Sequence, residues 1–372
     1  MRAWRVVWAP YLATRIIVLG ILALTPFVAI SPSISEGARA LTFSRPLSWR
    51  AAIEDSLLPG DALHYLHIAQ IGYDTPISRG WFPFFPLVWR LAAGITREYV
   101  FTGCILSNGF FLMALMVLYR VILLFGYSEQ ITARAILYLT IFPATHFFSV
   151  PMSEALFLLL TAGSFYAALR NRFALAGFLG GLATATRLAG LVLLPSMLLL
   201  SWRHKKPQDR WRSAAALLLI PCGALAFFSY TYVKTGDFWA YQHAQMSVGV
   251  KPPLFFLTPL IQYALHPRVF HSWTFFPLQF AAVLLGFWAS WALARQRQWV
   301  LSIYLLASMI LPLSAGLLGS MTRFVMVSFP LVIALADSGE NPLVDQTIRT
   351  VFITLMTLLT LACAAKFGLG MA

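Results

Sequence analysis

Four side chains that can hold or move protons, Asp61, His64, Tyr65 and His67, fall close together in a short polar stretch between long apolar runs. Charged groups near the hydrocarbon of a membrane are costly and usually mark a functional site. A carboxylate in such a place can serve as a general base that removes a proton from an attacking hydroxyl group. A structural alternative also fits, because Asp61 follows Pro59-Gly60 and could simply cap a surface helix.

Arginine side chains complement that chemistry, because a guanidinium can neutralise the charge that builds on a departing phosphate. Arg187 has no acidic neighbour in the sequence, which favours a role in a site. Arg323 could instead have no functional role and simply place its guanidinium group at the membrane–water interface. Glu154 could have a structural role and no part in a site, because the positive end of a helix dipole stabilises a carboxylate at the start of a helix. The polar residues that we expect to meet at the outer membrane face are Asp61, Glu154, Arg187, Asp237, His243, Gln245 and Arg323.

The composition places these residues in an integral membrane protein. Hydrophobic residues make up 59% of the 372 positions and charged residues only 11%, against about a quarter charged in soluble domains. The net charge is +14, and the basic residues responsible for it lie in short loops between apolar runs. This is the pattern of the cytoplasmic loops of membrane proteins. No aromatic and basic surface for nucleic acid is evident, so we expect membrane lipids and no nucleic acid as partners.

The apolar runs predict an all-α polytopic protein of about ten transmembrane or re-entrant helices in a single domain, residues 1–372. Basic residues before the first span, residues 11–30, place the N-terminus inside. Two extracytoplasmic segments are expected, residues 31–98 with interfacial helices and residues 234–275. One interfacial helix should cover residues 61–71.

Four further regions carry specific expectations. Residues 135–150 should cross outward, residues 154–169 should return, and residues 324–336 should form one inward span. The run 173–201 lies between two basic clusters, so both of its ends look cytoplasmic. Two short helices bent into a hairpin, with Arg187 near the outer tip, would satisfy the charge rule.

Several classes of chemistry find no support in the chain. The histidine spacing fits no zinc pattern, and the three cysteines lie in apolar runs, so we expect no metal. No glycine-rich phosphate loop or dinucleotide motif is present, which disfavours a soluble nucleotide-sugar or ATP mechanism. By elimination, a lipid-linked donor that arrives through the membrane is favoured, and no cofactor is expected beyond that co-substrate.

The chain resembles the PIG-V mannosyltransferases, the family of GPI mannosyltransferase II and its bacterial relatives. The resemblance begins with the Gly60–Ala69 stretch and the Trp81–Leu87 stretch. It continues through Pro151-Met152-Ser153-Glu154-Ala155-Leu156-Phe157, Ala183-Thr184-Ala185-Thr186-Arg187-Leu188-Ala189-Gly190, Gly236-Asp237-Phe238, Ala244-Gln245, and more loosely Arg323-Phe324 with Phe329-Pro330. One departure is Gly60, where the family usually has an aromatic residue before the aspartate.

The resemblance implies a GT-C glycosyltransferase whose active site faces away from the cytosol. Such enzymes take a monosaccharide, commonly mannose, from a polyprenyl-phosphate carrier and invert the anomeric centre without a catalytic metal. The family's general base carries onto Asp61 and its motif arginine onto Arg187, with a phosphate-contacting role.

The expected function is therefore transfer of a monosaccharide from a polyprenyl phosphate to a glycolipid or glycan acceptor, in a bacterial plasma membrane. Arg187 and Arg323 should hold the donor phosphate. The residues expected to bind substrate are His64, Tyr65, Glu154, Asp237, His243 and Gln245. A transporter or flippase for a lipid or anionic solute is the alternative, although no duplicated half of the kind common in transporters is visible.

Overall fold

The computed structural model describes residues 2–27, 48–204, 207–251, 254–271 and 274–365. Helices dominate this part of the chain, and one antiparallel pair of two-residue strands is present. The helices of the first half are α1 (Arg2–Leu24), α2 (Trp49–Ser56), α3 (Asp61–Gln70), α4 (Phe84–Thr96), α5 (Val100–Leu124), α6 (Glu129–Thr140), α7 (Glu154–Leu169), α8 (Phe173–Thr186) and α9 (Leu193–His204).

The second half continues with helices of very different lengths. They are α10 (Pro207–Leu217), α11 (Leu219–Thr235), α12 (Ala240–Ser247), α13 (Thr258–Leu265), α14 (Phe276–Arg295), α15 (Trp299–Ser314), α16 (Met321–Met326), α17 (Pro330–Ser338) and α18 (Pro342–Ala364), with strands β1 (Phe270–His271) and β2 (Thr274–Phe275) before α14.

Five helical stretches in the described residues are long and apolar enough to cross a membrane. They are Trp4–Phe27, Val100–Leu124, Asp209–Thr235, Phe276–Arg295 and Pro342–Ala364. The bent pair formed by Leu318–Met326 and Pro330–Ser338 would make a sixth. The expected all-helical polytopic class is confirmed, but the count of ten is not, because several of the other apolar helices are too short to span alone.

Helix α7 is the centre of the bundle. Most of its residues are apolar or small and buried, and only a narrow face that includes Leu159, Gly163 and Tyr166 is partly exposed. It packs between α5 and α8, and α8 packs in turn against α11. Both ends of α7 are therefore held firmly by neighbours, including the end that carries Glu154.

The interfacial helix expected over residues 61–71 is confirmed as α3, Asp61–Gln70. Arg90 on α4 ends this helix by donating to the carbonyl oxygens of Ala69, at 2.7 Å, and Gln70, at 2.8 Å. Residues 28–47 of the expected first extracytoplasmic segment lie outside the described part. The expected second segment contains α12, α13 and the two short strands.

The expectation of continuous spans at residues 135–150 and 324–336 is wrong. Helix α6 ends at Thr140 and is followed by a separate 3₁₀ helix, Thr145–Phe148. Buried Arg15 of α1 donates to the carbonyl oxygens of Thr140, at 3.3 Å, and Thr145, at 3.1 Å. An arginine from elsewhere thus satisfies carbonyl groups at the break, which allows the helix to end inside the bundle.

Residues 324–336 are likewise split between α16 and α17, whose axes differ by 75°. The expected break in the run 173–201 is confirmed, because α8 ends before Arg187 and α9 begins after a short 3₁₀ helix, Leu188–Val192. However, α8 and α9 do not pack on each other: both contact α7 and α10, while α8 packs mainly on α11 and α9 also packs on α15. The structure shows a broken helix and not the two arms of a hairpin packed together.

Candidate active site

Four charged side chains from distant parts of the sequence meet in one cluster. Arg323 donates through Nη1 to Asp61 Oδ2 at 2.8 Å, and its Nε lies 3.2 Å from Glu154 Oε1. Arg187 donates through Nη1 to the same Glu154 oxygen at 2.5 Å. The two carboxylates and two guanidinium groups therefore form one continuous chain of ion pairs, in the order Asp61, Arg323, Glu154, Arg187.

Asp61 is positioned by the start of α3. Gly60 precedes it with φ 47° and ψ −119°, a backbone conformation that side chains disfavour, which accounts for the departure from an aromatic residue there. No side-chain capping bond is made at this helix start. The carboxylate bonds to Arg323 instead, so the structure does not support the simple capping role.

Glu154 begins α7 and has no exposed surface. Ser153, just before it, accepts a hydrogen bond from Arg187 Nη1 at 3.1 Å. Both carboxylates of the cluster thus stand in the first turn of a helix, where the dipole favours negative charge. Because Glu154 is fully buried, its position gives no support to the expectation that it lines a sugar pocket.

Arg187 stands at the break between α8 and the 3₁₀ helix that follows, in an extended conformation with φ −155° and ψ 139°. The chain then folds back so tightly that a Cβ atom on Gly190 would lie 2.5 Å from the backbone nitrogen of Thr184. This close approach requires glycine, and it turns the Arg187 side chain towards Glu154. The guanidinium remains 12% exposed, so a ligand can reach it.

Arg323 lies on the short helix α16 and is 9% exposed. Its guanidinium carbon lies 5.5 Å from the ring centre of Phe147 and 5.6 Å from that of Phe324. The Phe324 ring is also 5.5 Å from the guanidinium carbon of Arg187. Aromatic faces attract cations, so Phe324 helps to hold both guanidinium groups in one place.

The charge state of Asp61 follows from these neighbours. Burial alone would raise the pKa of this carboxyl group, but the charge and hydrogen bond of Arg323, aided by Arg187, hold the pKa below its usual value. Asp61 is therefore an ionised carboxylate at neutral pH. Its side chain is 23% exposed, so the carboxylate is accessible from outside the cluster.

His64 and Tyr65 flank the cluster on α3. The His64 ring stacks on Trp81 with centroids 3.8 Å apart, and burial lowers its pKa, which favours the neutral ring. The Tyr65 hydroxyl lies 2.9 Å from Ser153 Oγ, and burial raises the pKa of this phenol. Tyr65 is thus tied to the residue that Arg187 contacts, whereas His64 remains half-exposed beside Asp61.

The remaining expected site residues lie on or before α12. Asp237 Oδ2 pairs with His243 Nδ1 at 2.8 Å, and both side chains are exposed, 38% and 64% respectively. The other oxygen of Asp237 accepts from the backbone of Trp239 at 2.8 Å. Gln245 bonds to the carbonyl oxygen of Gly80 and so attaches α12 to the first outer segment. Within the described part of the chain, no hydrogen bond or ion pair joins these three residues to the four-charge cluster.

Within the described residues, no three histidine, cysteine, aspartate or glutamate side chains converge in a way that could hold a metal ion. The histidines that approach a carboxylate do so as pairs, His67 with Asp74 at 2.6 Å and His243 with Asp237. The absence of a metal from the reaction stays a prediction.

Three contributors to the cluster were not assigned a role from the sequence. Ser153 directly precedes Glu154, and Phe324 directly follows Arg323. Both lie in the stretches that resemble the family, and that position was what could have pointed to them. Phe147 gave no signal, because its ring reaches Arg323 only through the break after α6.

The profile of the family described as Mannosyltransferase (PIG-V) matches residues 10–204, slightly more than half of the chain. The chain belongs to this family and is a membrane glycosyltransferase, which confirms the resemblance seen in the sequence. Asp61, Glu154 and Arg187 fall within the matched region, whereas Arg323 lies beyond it.

No curated protein matches the chain significantly. Among solved structures, the chain is similar to the oligosaccharyltransferase of Archaeoglobus fulgidus, crystallised with a tethered acceptor peptide, at a TM-score of 0.45 and 11% identity. The alignment covers 96% of this chain and 55% of that protein, so the chain spans about half the length of the oligosaccharyltransferase. The family assignment rests on the profile match.

Proposed function

We propose that the protein transfers a monosaccharide, mannose by family membership, from a polyprenyl-phosphate carrier to a hydroxyl group of a glycolipid or glycan, with inversion. The observation that supports this most is the joining of Asp61 to two guanidinium groups in one cluster that is partly open to solvent. An ionised carboxylate beside phosphate-binding groups is what a displacement of this kind requires.

In the proposed reaction, the acceptor oxygen attacks the anomeric carbon from the side opposite the phosphate. The new carbon–oxygen bond forms as the bond to the phosphate oxygen breaks, and the electron pair leaves with the lipid phosphate. Asp61 takes the proton of the acceptor hydroxyl. Arg187 and Arg323 stabilise the second negative charge that develops on the phosphate.

Asp61 can act as a base without first losing its ion pair. A guanidinium has several N–H donors, and Arg323 bonds to Asp61 through Nη1 alone among the described contacts. The phosphate can therefore bind to other donors of the same guanidinium. In this arrangement, Asp61 and the departing lipid phosphate would bind to different N–H groups of the Arg323 guanidinium.

Helix α7 supports an extracytoplasmic site. Its 16 residues span roughly 24 Å at the usual rise of an α-helix. The cluster lies at its first residue, and the basic turn with Arg170 and Arg172 follows its last residue. Short basic turns stay in the cytoplasm, so the cluster would face the other side, in a bacterial plasma membrane as the sequence suggests.

The residues of the α12 region would form the shallower part of the same site. His64, half-exposed beside Asp61, and the exposed pair Asp237 and His243 offer hydrogen-bonding groups to a sugar or an acceptor. Gln245 would hold α12 in place through its bond to Gly80. We expect no metal and no other cofactor in this reaction.

The central experiment is Asp61→Asn in purified protein, supplied with radiolabelled polyprenyl-phosphate mannose and a membrane lipid extract as the acceptor source. We expect transfer to fall by ~10²–10⁴-fold, the usual contribution of a general base, with the detergent melting temperature preserved. Asp74→Asn is the matched control, since Asp74 is an exposed carboxylate of the same segment, paired only locally with His67.

Native turnover by Asp61→Asn would remove the base assignment. A native protein that moves the lipid across a bilayer without consuming the sugar donor would favour the transporter alternative instead.

A further inference from the structure

Glu154 occupies an unusual position between the two arginines. One oxygen, Oε1, faces both guanidinium groups, Arg187 at 2.5 Å and Arg323 at 3.2 Å. The other oxygen, Oε2, is buried and has no hydrogen-bond partner among the residues that the structure describes. The side chain has no exposed surface, so Glu154 cannot itself meet a substrate, and it must act through the arginines.

The placement of Glu154 fixes how much positive charge the arginines can offer. Arg187 and Arg323 bring two positive charges, and the carboxylate of Glu154, whose Oε1 contacts both guanidinium groups, offsets one of them. Asp61 differs, since it is 23% exposed and would be neutralised by the proton it receives during transfer. When the donor binds, Asp61 is still ionised, so the four side chains carry no net charge and offer no surplus positive charge to a second negative charge on the donor.

This balance of charges favours the lipid-linked sugar that carries fewer negative charges. A sugar joined to its lipid through a single phosphate carries one negative charge at the linkage, whereas a diphosphate linkage carries two. Charges a few ångströms apart in a partly buried site interact far more strongly than in water. Adding the second charge beside buried Glu154 would therefore weaken binding of a diphosphate.

We propose that Glu154 is the positioning residue by which this site selects a singly charged phosphodiester donor over a diphosphate-linked donor. This inference rests on the proposed function, because it assumes that the donor phosphate binds at Arg187 and Arg323. Removing the charge of Glu154 gives the cluster with a diphosphate the same total charge as the native cluster with a monophosphate.

Glu154→Gln tests the selection directly. The probes are a synthetic short-chain polyprenyl phosphate mannose and the corresponding diphosphate of equal chain length, titrated calorimetrically into purified protein in detergent. The native protein should prefer the monophosphate. In Glu154→Gln, the affinity for the diphosphate relative to the monophosphate should rise by at least about tenfold, because the negative charge that repels the second phosphate charge at close range has been removed. A loss of structure alone would weaken both probes together and leave their ratio unchanged.

Two controls accompany this variant. Glu154→Asp keeps the charge and should keep the native ratio, whereas Asp74→Asn removes an exposed charge in the first outer segment and should not change it. An unchanged ratio in Glu154→Gln would overturn the inference. The native protein supplies a second test that needs no variant, because equal affinity for the two probes would also overturn it.

The outcomes separate this inference from the proposed function. A native protein that transfers mannose from the monophosphate but shows no charge selection contradicts the role of Glu154 alone. A native protein that binds neither probe contradicts the proposed function, and the inference is overturned with it.

Discussion

Replacing Arg323 by glutamine should damage both the chemistry and the stability of the cluster, because Arg323 contacts both of its carboxylates. The guanidinium bonds to Asp61 at 2.8 Å, lies 3.2 Å from Glu154, and stacks near Phe147 and Phe324. Glutamine keeps some of the volume and can donate hydrogen bonds, but it removes the charge. The variant therefore tests the charge of Arg323 and not merely its bulk.

The magnitude follows from burial. Removing one partner of a fully buried ion pair costs about 3–5 kcal/mol. Here Glu154 keeps Arg187 as a partner, and Asp61 is 23% exposed, so water can take over part of the lost interaction. We expect a loss of about 1–3 kcal/mol in stability after this discount. Loss of one charge-stabilising donor should lower kcat by ~10²–10³-fold.

The pH profile gives an independent reading. In the native protein, Arg323 holds the pKa of Asp61 below its usual value against the effect of burial. A base works only when ionised, so native activity should persist into mildly acidic solution and fall only as pH passes below that lowered pKa. In Arg323→Gln, burial remains while the main opposing charge is gone, so the acid limb should move to higher pH.

The assay is the pH dependence of kcat/KM for mannose transfer, followed in native protein, Arg323→Gln and Arg323→Lys. The lysine variant keeps the charge but not the planar fork, so its acid limb should stay near the native position while kcat falls. An acid limb that does not move in Arg323→Gln, despite measurable residual activity, would refute the idea that Arg323 sets the pKa of Asp61 as the proposed base.

Two further outcomes test the surroundings of the cluster. Gly190→Ala should destabilise the protein by about 1–3 kcal/mol or more, because the added Cβ meets backbone atoms of Thr184. Gly109→Ala is the control: there is open space at its Cβ, so the melting temperature should stay equal or rise slightly. His243→Gln should raise the KM of a substrate without lowering kcat and without changing stability, since exposed ion pairs contribute about 0–1 kcal/mol. A large fall in kcat would instead place His243 in the chemical step.

Local features of the site were predictable from the sequence because they depend on nearby residues. The start of α3 at Asp61 follows from the Pro-Gly turn before it, and the start of α7 at Glu154 follows from Pro151, three residues earlier. The break at Arg187 was predictable because basic clusters flank both ends of this apolar run. A single span would place one of those clusters outside the cytoplasm, against the usual distribution of basic residues.

The pairing within the cluster was not predictable, because partners 33 to 262 residues apart are brought together only by packing. Apolar runs also conceal breaks in helices, since lipid and protein interior have similar polarity. The end of α6 at Thr140 depends on hydrogen bonds from Arg15, 125 residues earlier in the chain. Hydropathy alone therefore gave a continuous span where the structure has two separate helices.

The position of Arg323 has a consequence for how the protein is made. Asp61, Glu154 and Arg187 are synthesised in the first part of the chain, and Arg323 follows 136 residues after Arg187. Until Arg323 enters the bilayer, two carboxylates share a single guanidinium, so the nascent protein carries an unneutralised acid at the membrane. Insertion of α16 would end that imbalance, and the step that completes the four-charge cluster would thus also remove the uncompensated charge from the assembling protein.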